Sequence, residues 1–234
     1  MIADAIRDAF GLLLSGDVAL WHIVAVSLST TLVALMLAAP LAICLGYAIA
    51  SYRFAGRRLV VWLVQASMAV PTVLVGLLLY LLLSRQGAWG SLGWLFTQPG
   101  LVLGQIVIAL PVLVAFTLAA VQGADVRYAE TAVALGASRW RIMLTVLHEV
   151  RFGVMAAVIS GFGRVISEVG CALMVGGNIA GQTRTITTAI ALETSKGEFA
   201  QGIALGLVLI TLALLMNGVL MLLQGDAHSA GRRP

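Results

Sequence analysis

The sequence predicts an all-α membrane protein with about five transmembrane helices and a short amphipathic helix ahead of them. Three observations carry this expectation. Hydrophobic side chains make up 61% of the 234 residues and charged ones 10%, against roughly 45–50% and about 25% in soluble domains. A water-soluble chain of this size has no core large enough to hide that much apolar surface. The charges are also confined. Asp17 and Arg53 bracket one run free of Asp, Glu, Lys and Arg, and Arg58 and Arg85 bracket another; each exceeds the roughly 20 apolar residues that a span needs.

Taken in order, residues 1–17 hold Asp4, Arg7, Asp8 and Asp17 and lack the basic-then-apolar layout of a signal peptide. The stretch IADAIRDAFGLLL reads as an amphipathic helix lying on the membrane face. The spans are expected at 21–50, within 59–84, and at 101–121, 152–175 and 201–223, the fourth interrupted by Arg164 and Glu168. Segment 85–100 is polar, and its Trp89 and Trp94 suit the aromatic belt at the membrane surface; His22, at the start of the first span, reads as an interfacial residue too. No internal repeat or low-complexity tract appears, so 18–224 is expected to form one transmembrane domain, followed by a short tail, 225–234.

Five spans place the termini on opposite sides. With the N-terminus outside, the inner segments hold Arg53, Arg57, Arg58, Arg127, Arg139, Arg141, Arg151, Arg232 and Arg233, and the outer ones Arg7, Arg85, Arg184 and Lys196. Nine against four favours N-out, C-in, because positive charge accumulates in cytoplasmic loops.

What is missing narrows the class. The only lysine, Lys196, sits in ETSKGEF, so there is no phosphate-cradling G-x-x-x-x-G-K-[ST] loop for ATP. H-E-x-x-H, Cys-x-x-Cys and G-x-S-x-G are absent, and His22, His148 and His228 are scattered. Cys44 and Cys171 lie in apolar runs, away from any disulfide framework or metal-site spacing. No catalytic residue, metal site, bound cofactor or nucleic-acid interface is expected. Transport fits better than intramembrane catalysis, because Arg164 and Glu168 are a poor catalytic set.

Residues 123–150, GADVRYAETAVALGASRWRIMLTVLHEV, are too polar to span and too helix-prone for a plain loop. Asp125 is placed to cap a helix from Val126 to Leu135, Gly136 to end it in the left-handed conformation, and Ser138 to cap a second helix. Small residues near the bend (Ala129, Ala132, Ala134, Ala137) allow a compact knob. On geometry alone this is equally a surface hairpin covering the bundle. In span two, Pro71 removes an intrahelical hydrogen bond and is expected to kink the helix, either at the pathway or with no role in transport.

Glu130-Thr131-Ala132, then Gly136 and Val146, resembles the EAA loop of ABC-importer permeases, and ALGASRW (134–140) is similar to its usual continuation. One departure is His148-Glu149, where that family commonly has Leu-Pro. Val70-Pro71-Thr72-Val73-Leu74-Val75-Gly76 resembles the Pro-x-Val-x-Gly helix start of molybdate- and sulfate-type permeases. Ser167-Glu168-Val169-Gly170 and GGNIAGQTRTITTAIALET (176–194) resemble the oxyanion permeases, and ETSKG (193–197) is most like their tungstate branch. On these motifs the chain is identified as a member of the tungstate-type ABC permeases, with the resemblance covering about 18–224.

The resemblance implies a type I (MetI-like) fold in the bacterial inner membrane. It also implies a homodimeric pathway, separate ATPase subunits carrying ATP and magnesium, and a periplasmic oxyanion-binding protein. It assigns ATPase coupling to Glu130, Thr131, Ala132, Leu135, Gly136, Ala137 and Ser138. Molybdate or sulfate remains the alternative cargo, and an ATP-independent secondary transporter or channel the remote one.

Span four has Gly153, Ala157 and Gly161 at every fourth position, and Gly163, Ser167 and Cys171 as a second small row. Such rows allow close helix approach, so this span is expected at the centre. Arg164 and Glu168 stand one turn apart and are placed to pair. Ionisable groups at this depth default to functional candidates; with Pro71 and Gly76 they form the pathway or gate set, the alternative being a structural ion pair. Asn178, Gln182, Thr183, Arg184 and Thr185 are the candidates for receptor docking or anion contact, the alternative being a re-entrant loop that satisfies only its own backbone.

Overall fold

The computed structural model describes residues 2–230, with side chains from 7 to 218 and at 221 and 222. Arg232 and Arg233, counted above among the inner charges, lie outside the described residues. Among those described there are eleven α-helices, one 3-10 turn and no strand: α1 (Ile2–Leu14), α2 (Val18–Ser51), α3 (Arg57–Ser67), α4 (Thr72–Leu83), the turn Gly90–Leu92, α5 (Gln98–Gln122), α6 (Val126–Ala134), α7 (Arg139–Glu149), α8 (Arg151–Ile166), α9 (Gly170–Gly176), α10 (Ile186–Lys196) and α11 (Phe199–Ala230). Three helices, α2, α5 and α11, are long and apolar enough to cross a membrane, and the number rises to five if the bent pairs α3–α4 and α7–α8 each count as one span. The all-helical, five-span expectation holds in that sense.

Two spans differ from expectation. Pro71 does not kink a continuous helix. The helix ends at Ser67, and Pro71, at φ −59° and ψ 125°, is the N-cap from which α4 restarts. The cause is local: proline has no N–H to donate and pushes the residue before it out of the helical region. Pro40 and Pro111, by contrast, sit inside α2 and α5. The expected fourth span, 152–175, is likewise two helices, α8 and α9, broken at residues 167–169.

The described residues form two compact units. The first takes those up to Leu35, Val70–Ile108 and Phe162–Leu215; the second takes Met36–Ala69, Ala109–Gly161 and those from Met216 on. In the first, α1 does more than lie on a surface. Its Ala9 is fully buried in a cluster with Leu20, Ile23, Ile186, Ala204 and Leu205, and Leu12 and Leu13 pack beside it. A second cluster joins Leu79 and Leu83 of α4, Ile108 of α5, and Cys171 and Val175 of α9. In the second unit Tyr47 of α2, Val121 of α5, and Met143 and Val146 of α7 form the core.

Candidate coupling and pathway sites

In the second unit, α6 and α7 form the expected knob, and each end is fixed by a local device. Asp125 Oδ1 accepts the Arg127 N–H at 2.9 Å and caps α6. At its other end Gly136 adopts φ +74°, where a side chain is disfavoured. Its N–H donates to the Val133 carbonyl, and the Ala137 N–H reaches the Ala132 carbonyl; together these make a Schellman closure. Ser138 Oγ then accepts the Arg141 N–H and caps α7.

The knob holds Ala132 inside and turns an apolar face outward: Leu135 is 81% exposed and Trp140 61%, with Val126 and Val133 also exposed. Glu130, Thr131, Gly136 and Ser138 are exposed and Ala137 is half-buried. Exposed apolar patches of this kind mark protein or membrane contact surfaces. The His148-Glu149 departure has a visible result. Without a proline, α7 runs through Glu149, and a single residue, Val150, separates it from α8, which leaves at 76°. The Glu149 carboxylate also stands near Tyr128 across the knob and holds its phenol above its ordinary pKa.

In the first unit, the break between α8 and α9 is built from polar side chains. Ser167 Oγ donates to the Gly163 carbonyl at 2.7 Å, the kind of back-bonding that bends helices. Arg164 Nη1 donates to Glu168 Oε2 at 2.9 Å, while Glu168 Oε1 accepts the Cys171 N–H at 3.1 Å, in the first turn of α9. Thr187 Oγ1 donates to the Glu168 carbonyl. Glu168 is thus buried and fully engaged, whereas the Arg164 side chain keeps 38% of its surface exposed. The pair offsets part of the cost of burying the Glu168 carboxylate and leaves Arg164 partly exposed.

Gly76 of α4 is brought against α9, and Val73 of α4 against Gly170 at the start of α9. A Cβ on Gly76 would stand 2.7 Å from Cys171 Cα, and one on Gly104 2.8 Å from Cys171 Sγ. α9 therefore meets α4 at backbone distance, and Gly104 of α5 leaves room for the Cys171 side chain.

The candidates at 178–185 divide. Thr183 and Thr185 are buried. Thr183 Oγ1 donates to the Gly176 carbonyl, and Thr185 caps α10 through a capping box with Thr188. Ser27 Oγ accepts the Ile186 N–H at 2.7 Å, tying the start of α10 to α2. Asn178 takes φ +52° and donates to the Thr188 carbonyl. Arg184 is half-buried, with Nη1 3.9 Å from Glu193 Oε1; Lys196 Nζ lies 3.1 Å from the same oxygen. Gln182 is exposed, and its carbonyl accepts from Gln98 Nε2. The hydroxyls expected to face outward thus hold the segment's own fold, and Gln182 presents the open polar side chain.

Sequence reasoning missed Ser27 and Gln105. Gln105 is buried on α5 and donates to Thr30 Oγ1 at 3.4 Å; a lone glutamine within an apolar span was the available signal. Among the described residues no group of His, Cys, Asp and Glu could hold a metal ion.

Comparison with known proteins follows the same lines. Residues 42–226 match the family model described as binding-protein-dependent transport system inner membrane component. The chain is 38% identical over 216 residues to the tungstate uptake system permease protein TupB of Campylobacter jejuni, covering 92% of this chain and 90% of that one. It is 40% identical over 212 residues to a probable anion ABC transporter permease protein of Haloferax volcanii, covering 87% and 91%. Identity to the molybdenum transport system permease protein ModB of Escherichia coli is 29% over 211 residues, covering 86% and 91%.

Proposed function

The chain belongs to the family of binding-protein-dependent transport system inner membrane components, and on that premise we propose that it is the permease subunit of an ATP-driven tungstate importer. The observation that carries this reading is the α6–α7 knob, which is capped at both starts, closed at Gly136 and apolar on its outer face. Such a surface fits a groove in a separate ATPase subunit, with Glu130 to Ser138 as the docking segment. Two copies of the chain would form one pathway, and a periplasmic oxyanion-binding protein would deliver the anion to the side carrying 178–185. The N-terminus then lies outside, with 1–17 as a membrane-surface segment, 18–224 as the transmembrane domain and 225–234 as a cytoplasmic tail. ATP and magnesium stay on the partner; this chain supplies the path and its alternation and binds no cofactor.

A tetrahedral dianion crossing such a path needs positive charge or N–H donors that hold it weakly enough to release it. The exposed part of Arg164, steadied by Glu168, meets that need at the joint between α8 and α9. Arg164→Met should lower uptake at least tenfold while the permease still assembles with its partners, and Arg164→Lys should keep part of it. Normal uptake by Arg164→Met would leave a structural ion pair and remove the gate.

The test of the whole reading is uptake of labelled tungstate by cells with and without this chain, in the presence of excess molybdate or sulfate. Loss of uptake on deletion, with poor competition, is expected. The likeness to the molybdenum permease favours one second reading, the same machine for molybdate. Unchanged tungstate uptake beside a molybdate defect would select it.

A further inference from the structure

The second unit contains a cavity of ≈ 730 Å³ bounded by the C-terminal end of α2, the start of α3, the end of α5, and α6 and α7. We propose that it holds the phosphate headgroup of an anionic phospholipid, with Arg53 and Arg139 as the groups that grip it. The volume lies within the roughly 300–1,000 Å³ of small-molecule sites. Five charged side chains line it: Arg53, Arg57, Arg139, Asp125 and Glu130. Two are already committed. Arg57 Nε donates to the Ile49 carbonyl at 2.7 Å and its Nη2 to Ala50, closing the end of α2. Asp125 caps α6 and lies 3.9 Å from Arg127.

Among the described residues no ion pair engages Arg53, Arg139 or Glu130, so two guanidiniums face one carboxylate and the balance favours an anion. Arg139 is also the first residue of the 11-residue helix α7, whose N-terminal N–H groups favour a phosphate. Arginine suits this role because its planar fork matches phosphate oxygens two at a time.

A soluble phosphate and a lipid headgroup share that chemistry, and the neighbouring surface argues for the lipid. Leu41 and Leu45 are exposed on α2, and Tyr52, also exposed, lies on the cavity wall. Leu41 and Leu45, four residues apart, share one helical face, and Tyr52 follows the last residue of α2 with its N–H donated to the Ala48 carbonyl. An acyl chain lying along Leu41 and Leu45 brings its glycerophosphate to the level of Tyr52 and Arg53, and basic pockets beside membrane helices take lipid headgroups in this way. The bound headgroup bridges the end of α2 to the start of α7; its effect on coupling, though not its binding, rests on the function proposed above.

The experiment is native mass spectrometry of the purified full chain with phosphatidylglycerol, phosphatidylcholine, or soluble glycerol phosphate. Phosphatidylglycerol should remain bound where phosphatidylcholine dissociates, and the double variant Arg53→Gln/Arg139→Gln should weaken it roughly 5- to 30-fold. Arg58→Gln, whose side chain is not on the cavity wall, should bind as the native chain does. Both variant positions are exposed, so folding is expected to survive; if circular dichroism shows otherwise, Arg53→Gln alone should give a smaller loss. Equal retention of the two lipids, or no loss in the variants, would overturn the proposal. Tight binding of glycerol phosphate lost in the same variants would assign the cavity to a soluble anion instead. The measurement needs neither ATPase nor transport, so its failure leaves the importer reading standing, and the reverse holds too.

Discussion

Gly136→Arg should reduce uptake to background while leaving the membrane bundle folded. A Cβ at this position meets nothing within 4 Å, so the new side chain leaves the backbone without a collision. Its intramolecular cost is the φ of +74°, on the order of 1–2 kcal/mol for a residue with a side chain. That strains the α6–α7 turn and spares the Tyr47, Val121, Met143 and Val146 core. What changes is the outer face, where a long cation would stand beside the exposed Leu135. Burying an unpaired charge in a docking groove costs far more than the strain. Copurification of the ATPase subunit and uptake should therefore fall together, with yield and thermal stability of the permease nearly unchanged. Gly136→Asn, which tolerates the left-handed conformation, should retain much of both. Normal uptake in Gly136→Arg would remove the coupling role of the knob and revive transport without an ATPase.

Gly76→Val is expected to have the second large effect, by a different route. The added Cβ would stand 2.7 Å from Cys171 Cα and 3.0 Å from Met174 Cβ. The first of these atoms is backbone and cannot rotate away, so α4 or α9 must shift. Overpacking of this kind costs about 1–3 kcal/mol for small additions, and the γ-methyls of valine add to it. α9 carries Cys171 and Val175 into the cluster with Leu79, Leu83 and Ile108, and Glu168 holds its first turn, so the shift reaches the Arg164–Glu168 joint. Uptake should drop below a tenth of normal, with lower thermal stability of the purified chain. Gly11→Ala in α1, where a Cβ meets nothing within 4 Å, should leave both unchanged. A Gly76→Val chain with native stability and uptake would mean that α4 and α9 do not depend on this contact.

The parts of this architecture that were legible in the sequence are those fixed by short-range chemistry. Asp125, Gly136 and Ser138 act on N–H and C=O groups within three or four residues, so their roles could be read from spacing alone. The break at residues 167–169 could not. Arg164 and Glu168 interrupt the run 152–175 but do not say that the helix ends there, and what divides it is a set of bonds of which one, from Thr187 to the Glu168 carbonyl, spans 19 residues. Pro71 announced a disturbance, but whether a proline bends a helix or starts a new one depends on the backbone around it, and Pro40 and Pro111 show the other outcome. The threonines near 185 were visible as polar groups. Composition does not say which way a hydroxyl points, and at Thr183 and Thr185 it points inward.

The burial of Ala9 of α1 against Ile186 and Leu205 has a consequence for the order in which the protein is made. The α10 and α11 side of the packing surface of α1 lies nearly 180 residues later in the chain, and at about 5–20 residues per second the wait for it is roughly ten to forty seconds. Throughout that interval its apolar stripe has only the start of α2, with Leu20 and Ile23, to rest on. The membrane surface is the available shelter for the rest, which gives an amphipathic helix two successive homes: lipid at first, and the α10–α11 pair once those helices are made. The same delay applies to Ser27, whose hydroxyl has to wait for the Ile186 N–H. This unit therefore closes only once α10 and α11 have been made.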